Sequence, residues 1–254
     1  MPKKITNFFK MFARLKFMSL IRFYKLKYFI KDDSRYHNFR LKNGLKVTVN
    51  KNGGDLTTLF EVFVNEDYKF EGDKSNPGNI LDIGANVGYF SLYISKRFPD
   101  AKVFAFEPFP DTYKRLCEHI NINNLKNIKA LNYAVTDFDG TAKFYSFEYT
   151  GCNTLLEGNY DENFHKATTV DCISFANVPK LTEVNEFEFA KVDCEGSEYP
   201  IFLNSPDESI KSVNEYIMEV HNSEKYSVKQ LINRFENLDF KIKNESNLIT
   251  AKRN

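Results

Sequence analysis

The sequence predicts an α/β fold: a mostly parallel, doubly wound sheet closed by a C-terminal antiparallel hairpin and preceded by an N-terminal helical and β-hairpin extension. Three observations predict it. From Asn79 onward, short apolar runs alternate with amphipathic runs of helical period; a Gly-rich turn, 84–88, joins one apolar run to a helix; and two short alternating runs flank a polar turn at 244–247. The 254 residues have room for one large domain or one domain with an appendage. The expected parts are a basic amphipathic helical segment over 1–37, a hairpin and helix over 38–78, and the α/β domain over 79–254.

Taken in order, residues 1–31 carry nine Lys or Arg and no acid, which leaves 26 basic against 34 acidic side chains in the rest. The acidic body argues against a nucleic-acid partner. Phe8, Phe12, Leu15, Phe23, Leu26 and Ile30 recur at helical spacing, broken at Ser19, with Lys3, Asn7, Lys10 and Arg14 on another face. Charges from Lys10 to Lys27 interrupt every apolar window of about 18 residues, so no transmembrane span is expected. A secretory signal is not expected either, because no long uncharged core with a small-residue cleavage site follows. Two readings stay open: a helical cap packed on the domain, or an interfacial helix giving peripheral membrane contact on anionic lipid.

Phe39, Leu41, Leu45, Val47 and Val49 around Asn43-Gly44 predict a β-hairpin, and 56–68 a short helix. Strands are expected near 79–83, 102–106, 128–133, 188–193 and 215–220, with helices near 87–97, 110–122 and 225–237. Residues 141–147 alternate as an extra strand, 150–166 read as a loop over the active site, and 240–250 as the closing hairpin. Cys117, Cys152, Cys172 and Cys194 show no C-x-x-C or ligand spacing, which suits free thiols in a reducing cytosol and a cytoplasmic protein, with peripheral placement on the membrane as its variant. Four histidines are scattered as well.

The chemistry starts at Ile80-Leu81-Asp82-Ile83-Gly84-Ala85-Asn86-Val87-Gly88, with a second apolar run ending in Glu107. Gly84 and Gly88 allow close backbone approach, and the helix that follows offers unpaired N–H groups. Glu107, at a strand tip, is placed to accept two hydrogen bonds from a ribose diol. A dinucleotide loop has the form G-x-G-x-x-G. Here the loop is D-x-G-x-N-x-G, and the Asp82 carboxylate beneath it disfavours a pyrophosphate while suiting a ligand with an ammonium group. S-adenosylmethionine is such a ligand, and a loop of this form is that of class I, Rossmann-like methyltransferases.

A second cluster, Lys191-Val192-Asp193-Cys194-Glu195-Gly196, places two carboxylates just past a parallel strand, where ligands of open α/β sheets bind. Asp193 and Glu195 are candidates for positioning an acceptor or taking its proton, against the plainer reading that Asp193 caps the following helix. His221 ends the next strand; an ordinary imidazole suits general-base work, although a histidine at a strand end is often only a surface residue. Glu219 is expected to face a structural partner below the rim. Two carboxylates suit Mg²⁺, but the sequence names no third oxygen ligand, so no metal is assigned.

With I-L-D-I-G-A-N-V-G-Y-F, F-E-P at 106–108, N-Y-A-V-T-D at 132–137, T-V-D at 169–171, K-V-D-C-E-G-S-E at 191–198 and M-E-V-H at 218–221, the chain resembles the FkbM family of S-adenosylmethionine-dependent methyltransferases over about 40–252. The resemblance implies O-methylation of a hydroxyl on a sugar or small metabolite. It implies cofactor contacts at Asp82, Gly84, Asn86, Gly88 and Glu107, with Ala134 beside the adenine. Residues 1–31 lie outside the family pattern. The rival reading is a nucleotide-binding Rossmann-like protein with another reaction or none, peripheral to the membrane.

Overall fold

A computed structural model describes residues 3–28, 35–70, 77–147, 153–154 and 165–254. The N-terminal helix is broken four residues before Ser19. α1, Lys3–Arg14, and α2, Phe17–Tyr28, are separated where Leu15 bridges to Leu41 and the Lys16 amide donates to the Arg40 carbonyl (3.0 Å). This pairing with the hairpin resets the helical phase: Met11 and Leu15 point inward, while Phe12, expected on the inner stripe, faces outward. The hairpin is β1, Tyr36–Arg40, with β2, Lys46–Asn50, and Gly44 sits in its turn at φ +94. Next come α3, Asp55–Phe60, and a π-helical turn, Glu61–Asn65, which ends the predicted 56–68 helix early at Glu66 in a left-handed conformation.

The α/β part follows as β3, Asn79–Ile83; α4, Tyr89–Arg97; β4, Lys102–Phe106; α5, Pro110–Ile122; and β5, Ile128–Leu131. β6, Ala134–Thr136, then leaves the main sheet, because the Asn132 amide donates to the carbonyls of Glu107 and Pro108 and turns the chain. β6 pairs with β9, His165–Ser174, which also takes β7, Gly140–Phe147; β8, Asn153–Thr154, lies at the far edge. The predicted loop over 150–166 falls largely outside the described residues. After α6, Val178–Thr182, come β10, Phe187–Val192; α7, Glu198–Asn204; α8, Asp207–Lys211; β11, Val213–Glu219; and α9, Val228–Glu236. β12, Phe240–Glu245, and β13, Leu248–Arg253, form the closing hairpin.

The main sheet runs β12-β13-β11-β10-β3-β4-β5, parallel except where β13 pairs antiparallel with β11 and β12. Strand alternation divides its core. Ile80, Val103 and Phe189 belong to one apolar cluster with Met11, Leu15, Phe23, Val47, Phe63 and α4, so the N-terminal segments cover this face. Leu81, Ile83, Phe104, Ala190 and Met218 face the other side, against Phe202 and Phe235 of α7 and α9. Asp82 and Lys191 share the parity of Ile80 and Phe189. They are direct cross-strand partners beneath the N-terminal extension.

Candidate active site

Two cavities meet at the C-terminal ends of β3, β4, β10 and β11. The first, about 590 Å³, is bounded by Gly84, Asn86, Glu107, Ala134, Phe144 and Asp193, among others. Gly84 at φ +74 turns the chain against the β10 loop so closely that a Cβ would lie 1.8 Å from the Asp193 carbonyl oxygen. No other residue fits there. Gly88, at φ +86, opens α4 from a left-handed N-cap, and a Cβ there would meet Leu116. Glu107 is buried; its Oε2 accepts from the Asn86 amide (2.7 Å), and its Oε1 from the Phe109 amide (2.9 Å) and the Thr112 hydroxyl (2.6 Å). A carboxylate has about four acceptor sites, so three are taken and one remains for a ligand rather than the two a diol would use. Burial pushes the Glu107 pKa up, opposed by these three donors.

The second cavity, about 1050 Å³, shares Asn86, Asp193 and Glu195 with the first and lies on the face covered by the N-terminal extension. α3 and the π-helical turn supply Thr57, Thr58, Glu61 and Val62; Tyr68, Lys191, Glu219 and His221 add further walls. Burial, reinforced by the charges of Glu219, Asp67 and Asp193, lifts Glu61 to about 7. Burial likewise lifts Glu195 to about 7, with the nearby imidazole pulling down and Asp193 pushing up.

Lys191 holds the floor. Its Nζ donates to the Gly84 carbonyl (2.7 Å) and lies 3.5 Å from Asp82 Oδ1 and 3.4 Å from Asp193 Oδ2, with the side chain 4% exposed. Asp82 is fully buried, and its Oδ2 accepts from the Ser91 hydroxyl (2.6 Å). The carboxylate beneath the loop is thus balanced by an ammonium, and it is not the feature that selects a cationic ligand. At the rim, His221 Nε2 is 3.3 Å from Glu195 Oε2 and 4.0 Å from Asp193 Oδ1. The other ring nitrogen, Nδ1, is 3.3 Å from Oε1 of the fully buried Glu198. Burial pulls the His221 pKa down, but the hydrogen bond to Glu198 and the three carboxylate charges together raise it to about 9. The ordinary imidazole assumed from sequence is therefore replaced by one that is protonated at neutral pH.

The structure thus brings Gly84, Asn86, Glu107 and Ala134 to one cavity wall, Asp193 and Glu195 to the junction of the two, and His221 to the second cavity beside them; it places Asp82 beneath the loop and Gly88 at the head of α4. Asp193 does not cap the next helix: Ser197 occupies that position, without a side-chain cap bond, and Glu198 Oε2 takes the Gly196 amide (2.8 Å). Glu219 faces the second cavity, where it accepts from the Tyr68 hydroxyl (2.5 Å) and from the Asn247 amide (2.7 Å). Lys191, Tyr68 and Glu61 were not singled out from sequence. A lysine within the apolar run Phe187–Val192 was a usable signal, since a charge in a parallel strand needs a buried partner.

A parallel sheet with a Gly-rich β3 turn, a carboxylate at the tip of β4 and an acidic loop after β10 defines a class I methyltransferase that uses S-adenosylmethionine. Residues 82–242 match the methyltransferase FkbM domain, well over half of the chain, and the chain belongs to that family. It is 28% identical over 191 residues to methyltransferase sdnD of Sordaria araneosa, across 63% of this chain and 72% of that one. It is 29% identical to the hexuronic acid methyltransferase AglP of Haloferax volcanii over 56% of this chain and 55% of AglP, just over half of that relative. The crystal structure of methyltransferase FkbM from Methylobacillus flagellatus KT superposes with a TM-score of 0.48 at 11% identity, covering 76% of this chain and 47% of that one.

S-adenosylmethionine is consistent with the residues present. The Cβ-free approach at Gly84, the open acceptor site of Glu107 and the apolar walls Pro108, Tyr133, Ala134, Val135 and Phe144 form a cleft of the mixed polarity of nucleoside sites.

Proposed function

We propose that the protein is a cytoplasmic O-methyltransferase acting on a hydroxyl of a sugar, in a surface glycan or its precursor, or of a small metabolite. The observation that carries this reading is the shared wall: Asn86, Asp193 and Glu195 border both the nucleoside cleft and a larger polar cavity, so donor and acceptor meet across them. When bound, S-adenosylmethionine supplies an electrophilic methyl group on a sulfonium centre. Gly84, Asn86, Glu107 and Ala134 hold it, and Lys191 fixes the loop through the Gly84 carbonyl. Asp193 and Glu195 orient the acceptor hydroxyl and take its proton, and the protonated His221 holds the two carboxylates at the rim. A hexuronic acid is the acceptor of one relative by its name, and a neutral or acidic sugar is the corresponding class here. Mass spectrometry of glycans with and without the gene tests the reading: one sugar heavier by a methylene unit supports it, and identical glycan and metabolite profiles count against it.

A second reading concerns location. The inner face of α1 and α2 packs into the core, yet Phe9, Phe12, Phe17 and Met18 are about half exposed or more, beside exposed Lys10, Arg14, Lys16 and Arg22. Among the described residues no helix is long and apolar enough to cross a membrane. We infer that this outer face rests on anionic lipid, which places the enzyme near an acceptor built on a lipid carrier.

A further inference from the structure

We propose that Asp193, Glu195 and His221 form a binding site for a divalent first-row transition-metal ion, placed to hold hydroxyl oxygens of the acceptor. The acceptor's part in this rests on the methyl-transfer reading above; the binding of the ion does not. From sequence, the two carboxylates had no third oxygen ligand. The register of β10 beside β11 supplies one, because His221 follows the neighbouring strand and reaches the same rim.

Asp193 Oδ1 and Glu195 Oε2 lie 4.0 and 3.3 Å from His221 Nε2, and one donor atom from each of the three residues lies within 4.8 Å of the others. Donors sharing one ion at bonds of about 2.1 Å stand about 3.0–3.4 Å apart; His221 Nε2 and Glu195 Oε2, at 3.3 Å, already have that spacing, and Asp193 Oδ1, 4.0 Å from Nε2, has to move closer. The far side of two of these groups is already engaged by residues outside the set. His221 Nδ1 faces Glu198 Oε1, and Glu198 is itself fully buried and fixed by the Gly196 and His221 amides. A buried carboxylate behind an imidazole is how metal-ligating histidines are oriented. Asp193 Oδ2 faces Lys191, which leaves Oδ1 toward the histidine.

Charge and donor type narrow the ligand. Asp193, Glu195, Glu198 and Glu219 surround the site, and Lys191 is the nearby ammonium, itself shared with Asp82. Once the ion displaces the Nε2 proton of His221 to solvent, one imidazole nitrogen with two carboxylate oxygens suits Mn²⁺, Fe²⁺ or Zn²⁺ rather than Mg²⁺ or Ca²⁺, which take oxygen sets. The rest of the coordination sphere opens on the second cavity, where vicinal hydroxyls of a sugar have room to enter.

The test titrates the full chain, stripped with chelator and free of methyl donor and acceptor, with Mn²⁺, reading free ion by electron paramagnetic resonance. One site per chain is expected, weakened at least tenfold by His221→Ala and by Glu195→Gln, and unchanged by Glu245→Gln at an exposed carboxylate elsewhere. Pulsed resonance on the wild-type protein, which does not depend on any variant folding, should show nitrogen coupling from one imidazole. No stoichiometric Mn²⁺ binding, equal binding by His221→Ala, or bound Mn²⁺ without nitrogen coupling each overturns the proposal; the last two leave an ion-paired imidazole at the rim. Calorimetry with S-adenosylmethionine on the same stripped protein separates the two readings. Donor binding without Mn²⁺ removes the metal site alone, and Mn²⁺ binding without donor removes the methyl-transfer reading alone.

Discussion

Glu107 uses three acceptor sites to pin the Asn86 loop and the start of α5, so its removal acts twice. Glu107→Ala should weaken S-adenosylmethionine binding by about 2 kcal/mol, from one charge-assisted ribose bond and from two amides left without an acceptor. Calorimetry showing unchanged affinity would remove Glu107 from the cofactor site. Gly84→Ala should be worse, destabilising the protein by about 2 kcal/mol or more in urea unfolding, because the obstacle is the Asp193 backbone rather than a movable side chain. For the junction residues, Asp193→Asn or Glu195→Gln should lower turnover by a factor on the order of 10² with donor affinity little changed. Near-normal turnover in both would leave alignment as the whole mechanism. Positions of the key residues were legible because Gly-rich turns and strand-end carboxylates are local patterns. Partnerships were not: nothing local says that Lys191 sits across from Asp82, since that depends on β10 pairing with β3 over a hundred residues of separation.

At the scale of elements, the main sheet was readable because its strands are continuous apolar runs bounded by turns. The second sheet was read only in part. β7 was expected, but β9 was missed although Val170 and Cys172 alternate with exposed Thr169 and Asp171; only these two apolar residues line its buried face between Thr168 and Ser174, which gives a weak apolar signal. That sheet matters, since Ala134, Val135 and Phe144 form a wall of the first cavity. The π-helical turn has no sequence signature, because it keeps helical periodicity while shifting hydrogen bonding by one residue. The hairpin's attachment is testable by pH. His119 on α5 is buried, accepts from the Thr48 amide at Nε2 (2.8 Å) and contacts the Val87 carbonyl through Nδ1 (2.7 Å). Burial lowers its pKa below 6.5, opposed by the Val87 bond. The unfolded chain then binds the proton more readily, so this contribution to stability is present above pH 6.5 and is lost as pH falls below it. Wild-type protein should lose stability relative to His119→Gln between about pH 7 and pH 5, at no more than about 1.4 kcal/mol per pH unit. Parallel curves for the two proteins would show that His119 does not carry the effect.

Over the whole molecule, the N-terminal extension is both part of the core and a wall of the second cavity. A chain starting at Asp32 should melt well below the full one, since Met11, Leu15, Leu20 and Phe23 are each 4% exposed or less and each contributes about 1.5–3 kcal/mol on burial. Their helical period was visible in the sequence, but the phase on either side of the Leu15 bridge was not, because it is set by the distant Leu41. Membrane contact is a separate quantity. The variant combining Phe17→Ser and Met18→Ser should keep the melting temperature and pellet several-fold less with anionic vesicles at low salt; equal pelleting would leave the two helices a packing element alone. The central claim, methyl transfer from S-adenosylmethionine to a hydroxyl oxygen, is tested most directly with a carbon-13-labelled methyl donor. The purified full chain is incubated with a panel of sugars, sugar acids and hydroxylated metabolites, and products are read by carbon–proton correlation spectra. The account predicts a new labelled O-methyl signal on one acceptor, formed on the order of 10²-fold more slowly in Asp193→Asn or Glu195→Gln; label appearing on nitrogen or carbon, or donor bound with no acceptor in the panel ever labelled, would contradict it.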